Sequence, residues 1–408
     1  MKNRQSILHK NLIEATVLAL DQIMLKNQYA DKVLEKILKS NRKWGARDRA
    51  FIAETTYDIV RWWRLLYEVL ELRDVKACHL YSIAGIYLQM NGFKLPSWPE
   101  FKDIVEVNIA SKISALNTQR KIRESIPDWL DEWAEQQLGN KWNTELQALN
   151  GEAHVVLRVN TLKIKRDELV SKLGEEQIKA FPLNEYPDAV QLNERRNIFQ
   201  SNCFKEGYFE IQDASSQLVA PALKLEPGMR LIDACAGAGG KTLHAACLMH
   251  NKGKIIALDT EEWKLKNLQH RARRAGTSIV ETRLIESSKT IKRLYHSADR
   301  LLLDVPCSGI GVLKRNPDAK WKLSPDFIAR VQQMQQYILN NYHNMLKPGG
   351  VMVYSTCSIM ASENQHQIRN FLTQQKNNFE LLNETTIFPS ESGYDGFYIA
   401  TLKKLCDG

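Results

Sequence analysis

The sequence predicts a mostly parallel, doubly wound α/β sheet over residues 213–408, preceded by a small α+β domain over 141–212 and an all-helical domain over 1–140. Three observations predict it. Short apolar runs alternate with helical patterns throughout the carboxyl-terminal half, the signature of strands joined by crossover helices. One of those runs, Leu231-Ile232-Asp233, feeds a glycine-rich turn that opens a helix. The amino-terminal third, by contrast, carries its apolar residues at helical spacing.

Within that third, Ile13, Val17, Leu20 and Met24 mark one helical face, and Val33, Ile37 and Leu38 mark the next. Asp48 to Glu71 reads as one long helix, with Phe51, Ile52, Tyr57, Ile59, Val60, Trp63, Leu66 and Leu70 on its apolar side. The turn before it, Lys39 to Arg49, concentrates positive charge around an exposed-looking Trp44. Gly92, Pro96 and Pro99 then break the pattern, and Pro127 precedes an amphipathic segment carrying Trp129 and Trp133. The texture changes at His154–Asn160, which alternates as a strand. A short helix, Arg166 to Leu173, follows, and then strand-like pieces through Ile211. Beyond Gln212 the expected strands are Arg230–Ala234, Lys254–Asp259, Ser278–Arg283, Arg300–Val305, Gly350–Tyr354 and Tyr394–Lys403.

Bulk properties narrow the function classes. A chain of 408 residues with 44% hydrophobic content is globular and large enough for several domains. No stretch approaches the roughly 20 apolar residues of a membrane span, and Met1-Lys2-Asn3-Arg4-Gln5 leads into an amphipathic helix without a signal-peptide core, so a cytoplasmic protein with no membrane partner is expected. Seven cysteines spread from Cys78 to Cys406 form no disulfide framework and no zinc-site spacing, so no metal is expected. A net charge of +9 leans moderately towards an anionic partner.

Two sites carry chemistry. The first is Asp233-Ala234-Cys235-Ala236-Gly237-Ala238-Gly239-Gly240-Lys241-Thr242, where glycines let backbone amides approach a polar ligand at a helix N-terminus. A tight strand–helix turn uses glycine for steric reasons too. However, the next strand ends in Asp259, roughly 20 positions on, where a carboxylate accepts from ribose hydroxyls. Lys241-Thr242 resembles a P-loop ending, but the first glycine stands too close to it for ATP.

The second site is a pair of cysteines beyond strand ends: Cys307 in Asp304-Val305-Pro306-Cys307-Ser308-Gly309, and Cys357 in Ser355-Thr356-Cys357-Ser358. The carboxyl ends of the strands are where an open α/β sheet places ligands. Carbon 5 of a pyrimidine becomes nucleophilic once a thiolate adds to carbon 6. That route needs a nucleophile, a carboxylic acid near ring N3 and a second thiol near carbon 5, the set that Cys357, Asp304 and Cys307 supply. Cys235 and Cys247 read as buried small hydrophobes.

These motifs resemble the Sun/Nop family of S-adenosylmethionine-dependent RNA (cytosine-5) methyltransferases, from about Leu157-Arg158-Val159-Asn160-Thr161 to Asp395-Gly396-Phe397. Ala46-Arg47-Asp48-Arg49-Ala50-Phe51 with Tyr57-Asp58-Ile59-Val60-Arg61-Trp62 resembles the NusB-like RNA-binding domain of the RsmB type, the bacterial small-subunit rRNA branch. The resemblance implies a Rossmann-like catalytic sheet, an RRM-like α+β domain and RNA rather than DNA as partner, with 16S rRNA the leading substrate. It makes Cys357 the nucleophile and assigns Cys307 to product release. It places S-adenosylmethionine against Cys235 to Lys241, Asp259, Glu286 and Asp304. The family's turn usually carries alanine at the position of Gly237 and proline at that of Ala238, which implies a less rigid loop here. Methylation of tRNA, and a catalytically silent RNA-binding or ribosome-assembly factor, stay open as alternatives. Lys314, Arg315, Lys320 and Trp321, shortly after Cys307, suit clamping phosphates and stacking on a base; a charged loop with Trp321 packed as core is the other reading. The Lys39–Arg49 turn is a candidate RNA contact or a solvated turn.

Overall fold

The computed structural model describes residues 8–104, 107–375 and 378–405; Met1–Gln5 and Cys406 lie outside the described residues. Packing divides the chain into two units, Met1–Gly151 with Leu313–Pro325, and Glu152–Val312 with Asp326–Gly408.

The first unit is helical. Helices Lys10–Leu20, Ala30–Ser40, Ala46–Arg61, Trp63–Val69 and Leu80–Met90 bury Ile13, Leu20, Val33, Ile37, Ile52, Ile59, Leu66 and Ile83 in one core, so the apolar spacing picked out the buried faces. The expected single helix from Asp48 to Glu71 is two helices broken at Trp62, whose φ is −100° and ψ 20°. The break is held open by a residue distant in sequence: Ser125 Oγ accepts the N–H of Arg64 (2.8 Å) and of Leu65 (3.4 Å), giving the second helix its start. Trp44 is half-buried against this core rather than exposed. The helices continue past residue 140: Trp142, fully buried in Lys141–Leu149, donates its indole N–H to Asp131 Oδ1 (2.8 Å) in Asp128–Leu138.

Leu313–Pro325 packs into this helical unit. Trp321 donates its indole N–H to the Val60 carbonyl (2.7 Å), Asp318 Oδ2 accepts the Ala30 N–H (3.0 Å), and the Arg61 guanidinium donates to the carbonyls of Leu313 and Lys314. Lys314 and Lys320 are buried, at 6% and 1% exposure, and burial pushes the Lys320 ammonium well below its ordinary pKa. The expectation that Lys314, Lys320 and Trp321 clamp and stack on RNA therefore needs correcting. Both lysines are packed inside, the Lys320 ammonium against Asn150 Oδ1 and the Trp321 indole on a backbone carbonyl, a role the charged composition of the segment concealed.

The second unit holds two sheets. The smaller contains β1 (Val156–Val159), β2 (Ala180–Pro182), β3 (Ala189–Leu192) and β4 (Phe209–Ile211), ordered β2-β3-β1-β4 with antiparallel pairings. Helix Arg166–Glu175 buries Leu169 and Leu173 in its core. The larger contains β5 (Arg230–Asp233), β6 (Lys254–Asp259), β7 (Val280–Leu284), β8 (Ala298–Asp304), β9 (Leu346–Thr356), β10 (Phe379–Ile387) and β11 (Phe397–Lys404). Its order is β10-β11-β9-β8-β5-β6-β7; β5 to β9 pair in parallel, while β11 and β10 run antiparallel at one edge. This is the Rossmann-like sheet the sequence predicts. From β5 the chain builds outward through β6 and β7, then returns to build the other side from β8. The switch point thus opens between the carboxyl ends of β5 and β8.

One strand escapes the sequence reading. β10 sits at the edge with a single neighbour, its register slips between Leu381 and Asn383, and Asn383-Glu384-Thr385-Thr386 interrupts the apolar alternation.

Candidate active site

The turn after β5 is the first half of the site. Gly237 and Gly239 have φ of +54° and +86°, conformations that favour glycine. At Gly239 a side chain is excluded twice over, since a Cβ would come within 2.0 Å of Leu268 Cδ1. A Cβ at Gly237 or Gly240 would instead meet open space, the face a ligand needs to approach. Lacking proline, the turn is tied by hydrogen bonds. The Ala236 N–H donates to the Leu258 carbonyl, that of Gly239 to the Ala236 carbonyl, and that of Gly237 to Asp259 Oδ2 (2.9 Å), while the Ala238 carbonyl accepts from Arg271 Nη1 (2.7 Å). Asp259 Oδ1 takes the Glu261 N–H (2.9 Å), which orients the carboxylate at the end of β6 and leaves each oxygen a further lone pair. Cys235 is half-buried, and burial followed by the neighbouring Asp233 raises its thiol pKa well above the ordinary value, so it stays protonated. Cys247 is buried, as expected. Glu286 is exposed, two residues past β7, and no hydrogen bond or ion pair among the described residues joins it to the turn.

Across the switch point, Lys241 Nζ pairs with Asp304 Oδ2 at 2.7 Å, and Ser355 Oγ donates to Asp304 Oδ1 at 2.8 Å. Burial opposes the charge on Lys241, but Asp304 outweighs it and holds the ammonium above its ordinary pKa. Asp304 is thus the point where β5, β8 and β9 converge.

The two thiols meet. Parallel register sets Leu303 beside Tyr354 and Asp304 beside Ser355, so the loops after β8 and β9 leave the sheet together. Cys307 Sγ and Cys357 Sγ lie 3.3 Å apart, both half-buried. Gly311 fastens the loops: its N–H donates to the Cys357 carbonyl (3.0 Å), and a Cβ there would come within 2.2 Å of the Gly396 carbonyl oxygen. The Cys307 thiol is held well above its ordinary pKa, first by its hydrogen bond to Cys357, then by burial.

Beneath the thiols lies a residue the sequence reading missed. Glu363 is fully buried; Oε1 accepts the Ser308 N–H (2.7 Å) and Gln335 Nε2 (3.3 Å), while Oε2 accepts the hydroxyls of Ser308 (2.5 Å) and Ser358 (2.6 Å). One carboxylate therefore joins the residue after each cysteine. The matched Cys-Ser pairs, Cys307-Ser308 and Cys357-Ser358, were the available signal: two buried hydroxyls need a shared acceptor. Arg158 was missed as well. At 1% exposure on β1, its guanidinium donates to Gln212 Oε1 and to the Gly240 carbonyl, tying the small sheet to the glycine turn.

Residues 220–403 match the family model for the 16S rRNA methyltransferase RsmB/F, and residues 126–199 match the ferredoxin-like domain of RsmF/B-like methyltransferases. A protein of Synechocystis sp. named "Probable ribosomal RNA small subunit methyltransferase B" is 31% identical, over 95% of this chain and 98% of its own length. The chain belongs to the RsmB/F methyltransferase family. The ribosomal RNA small subunit methyltransferase B of Klebsiella pneumoniae is 29% identical over 97% of this chain and 98% of its own. The crystal structure of PH0851 shares the fold, with a TM-score of 0.83 over 98% of this chain and all of its own at 24% identity. A methyltransferase homolog protein from Pyrococcus horikoshii gives 0.62 over 72% of this chain and 99% of its own at 29% identity. As an RsmB/F member the chain is an RNA methyltransferase that uses S-adenosylmethionine. The open faces of Gly237 and Gly240 and the remaining acceptor capacity of Asp259 fit that cofactor. Among the described residues no helix is long and apolar enough to cross a membrane.

Proposed function

We propose that this methyltransferase modifies carbon 5 of a cytosine in small-subunit ribosomal RNA through a transient bond between Cys357 and the ring. The contact between the two thiols carries the reading. The contact with Cys357 and burial together raise the Cys307 thiol and keep its proton on it, and this reading makes Cys357, beside it, the sulfur that attacks. That thiolate adds to carbon 6 while ring N3 takes a proton from the Asp304–Lys241 pair, and the electron density gained at carbon 5 attacks an electrophilic carbon. S-adenosylmethionine supplies the methyl group on its sulfonium. Loss of the carbon 5 hydrogen as a proton to a base then expels the Cys357 thiolate, and N3 returns its proton to the Asp304–Lys241 pair as the ring is restored, with Cys307 beside it to assist release. The target base leaves any helix first, at a few kcal/mol. The helical unit is the RNA-binding module in this reading, with Lys39, Arg42, Lys43 and Arg47 exposed at one turn. Asp259 and the turn from Cys235 to Lys241 hold the methyl donor in this reading, with Glu286 a further candidate contact. Small-subunit rRNA follows from the relatives' names.

Two experiments test this. Cys307→Ala should accumulate a protein–RNA adduct that survives denaturing electrophoresis, and Cys357→Ala should form none; the reverse pattern would exchange their roles. Bisulfite sequencing of ribosomal RNA from a deletion strain should lose one 5-methylcytosine. An unchanged profile would remove rRNA as the substrate.

A further inference from the structure

A cavity of about 310 Å³ lies apart from the thiols, lined by Phe199, Phe204, Glu210, Ile211, Arg271 and Arg274. We propose that it binds one unpaired nucleobase of the RNA, a second base subsite distinct from that of the methylated base. The inference rests on RNA being the substrate.

The walls come from three places within the second unit: the segment Ile198–Lys205, strand β4, and helix Glu262–Ala275. Phe199 is 58% exposed, an unusual position for a ring of that size, and stands edge-on to Phe204 with centroids 5.1 Å apart. The Arg274 guanidinium lies 3.8 Å from the centroid of the Phe204 ring. Glu210, 4% exposed, accepts from Arg271 Nε (3.1 Å) and Nη2 (2.9 Å) and from Arg274 Nη2. Its carboxylate is thus consumed in fixing two guanidiniums, and the cavity keeps a net positive charge. Arg271 is also held by the Ala238 carbonyl, so the walls are ordered before any ligand arrives.

Flat aromatic and guanidinium surfaces with surplus positive charge match a nucleobase in a polyanion, which stacks on π-faces and tolerates any sequence. A bare phosphate would meet phenylalanine rings and the Glu210 carboxylate. The volume lies at the low end of the roughly 300–1,000 Å³ of small-molecule sites, room for a base rather than a chain segment.

Fluorescence anisotropy of the full-length protein with an unstructured 12-nucleotide pyrimidine RNA, across a salt series, tests this. Phe199→Ala should bind about tenfold more weakly with an unchanged salt slope, and Phe199→Trp should restore affinity. With a fully abasic oligonucleotide, Phe199→Ala and the parent protein should bind alike. Wild-type affinity in Phe199→Ala, or the same loss on the abasic strand, would overturn the proposal. Failure of the cytosine reading would show separately, as absent methyl transfer by the unsubstituted protein.

Discussion

Glu363 offers the sharpest test of how the site is held. Its two oxygens face different donors: Oε1 meets the Ser308 N–H and Gln335 Nε2, neither of which can accept, whereas Oε2 meets two hydroxyls that can rotate. Glu363→Gln keeps the shape and can turn its amide N–H towards the hydroxyls, which then accept, and of their own hydrogens only that of Ser308 keeps a partner, the Ser358 oxygen at 3.3 Å. Hydrogen bonds to a charged acceptor contribute ~1.5–3 kcal/mol each, and rearrangement recovers part, so a loss of about 2 kcal/mol is expected. Glu363→Ala removes every acceptor and strands the Ser308 N–H in the interior, for about 4 kcal/mol. The catalytic effect should exceed the thermodynamic one, because a displacement of about 1 Å at reacting atoms costs on the order of 10²-fold in rate. Urea unfolding reads the first effect. The second is read by single-turnover methyl transfer, well below the unfolding midpoint, with donor affinity measured alongside. Glu363 acts as a positioning residue, so kcat should fall while donor affinity holds. Both variants lying within 0.5 kcal/mol of the parent at full rate would refute the reasoning.

Other expectations follow from the same geometry. Asp259→Ala removes the acceptor that orients Gly237, and calorimetry should find the methyl donor bound at least tenfold more weakly. Burial outweighs Asp188 at His244 and pushes its pKa down to about 4, so the fold holds the neutral ring. The folded value lies below the unfolded one near 6.5, so this contribution is complete above pH 6.5 and lost as pH falls towards 4, by about 3 kcal/mol. Asp233 behaves oppositely: burial, eased by Thr242 but reinforced by Asp304, raises it to about 7. Its contribution is complete below pH 4 and lost as pH rises through 7. In urea titrations between pH 4 and 7, His244→Gln should flatten the acid limb and Asp233→Asn should steepen it; shifts in the same direction would contradict this. Replacing Lys39, Arg42, Lys43 and Arg47 together with alanine should weaken RNA binding and flatten its salt dependence, and an unchanged slope would exclude that turn from the interface.

What the sequence disclosed and what it hid follow one physical division. Strands β5, β6, β8 and β9 were legible because buried parallel strands are continuous apolar runs, and the chemistry-bearing residues follow directly from their ends. Cys307, Cys357, Asp304 and Lys241 were therefore readable, and the structure brings them together. Glu363 was not, since a glutamate in Ala361-Ser362-Glu363-Asn364 looks like an exposed acid opening a helix; only tertiary packing sets it against two serines. Lys320 misled for the converse reason. A lysine beside a tryptophan reads as a nucleic-acid contact, yet its ammonium is buried and donates to Asn150 Oδ1 at 3.2 Å. The helix break at Trp62 depends on Ser125, beyond the reach of any local pattern.

The restraints on the thiols explain why the chemistry needs so large a frame. On the proposed chemistry, two sulfurs 3.3 Å apart must let a ring approach one of them while the other keeps its proton, so neither loop can drift independently. Sheet register aligns the loops at Asp304 and Ser355, the Gly311 N–H fixes the Cys357 carbonyl, and Glu363 locks the serines beneath. Each restraint comes from a different level of structure, and each joins the loop after β8 to the loop after β9 or to what lies beneath it. The same buried carboxylate that fixes Ser308 also contributes to raising the Cys307 pKa. Positioning and proton assignment therefore share one residue, and that is why Glu363→Gln should disturb the division of labour between the thiols as well as their spacing.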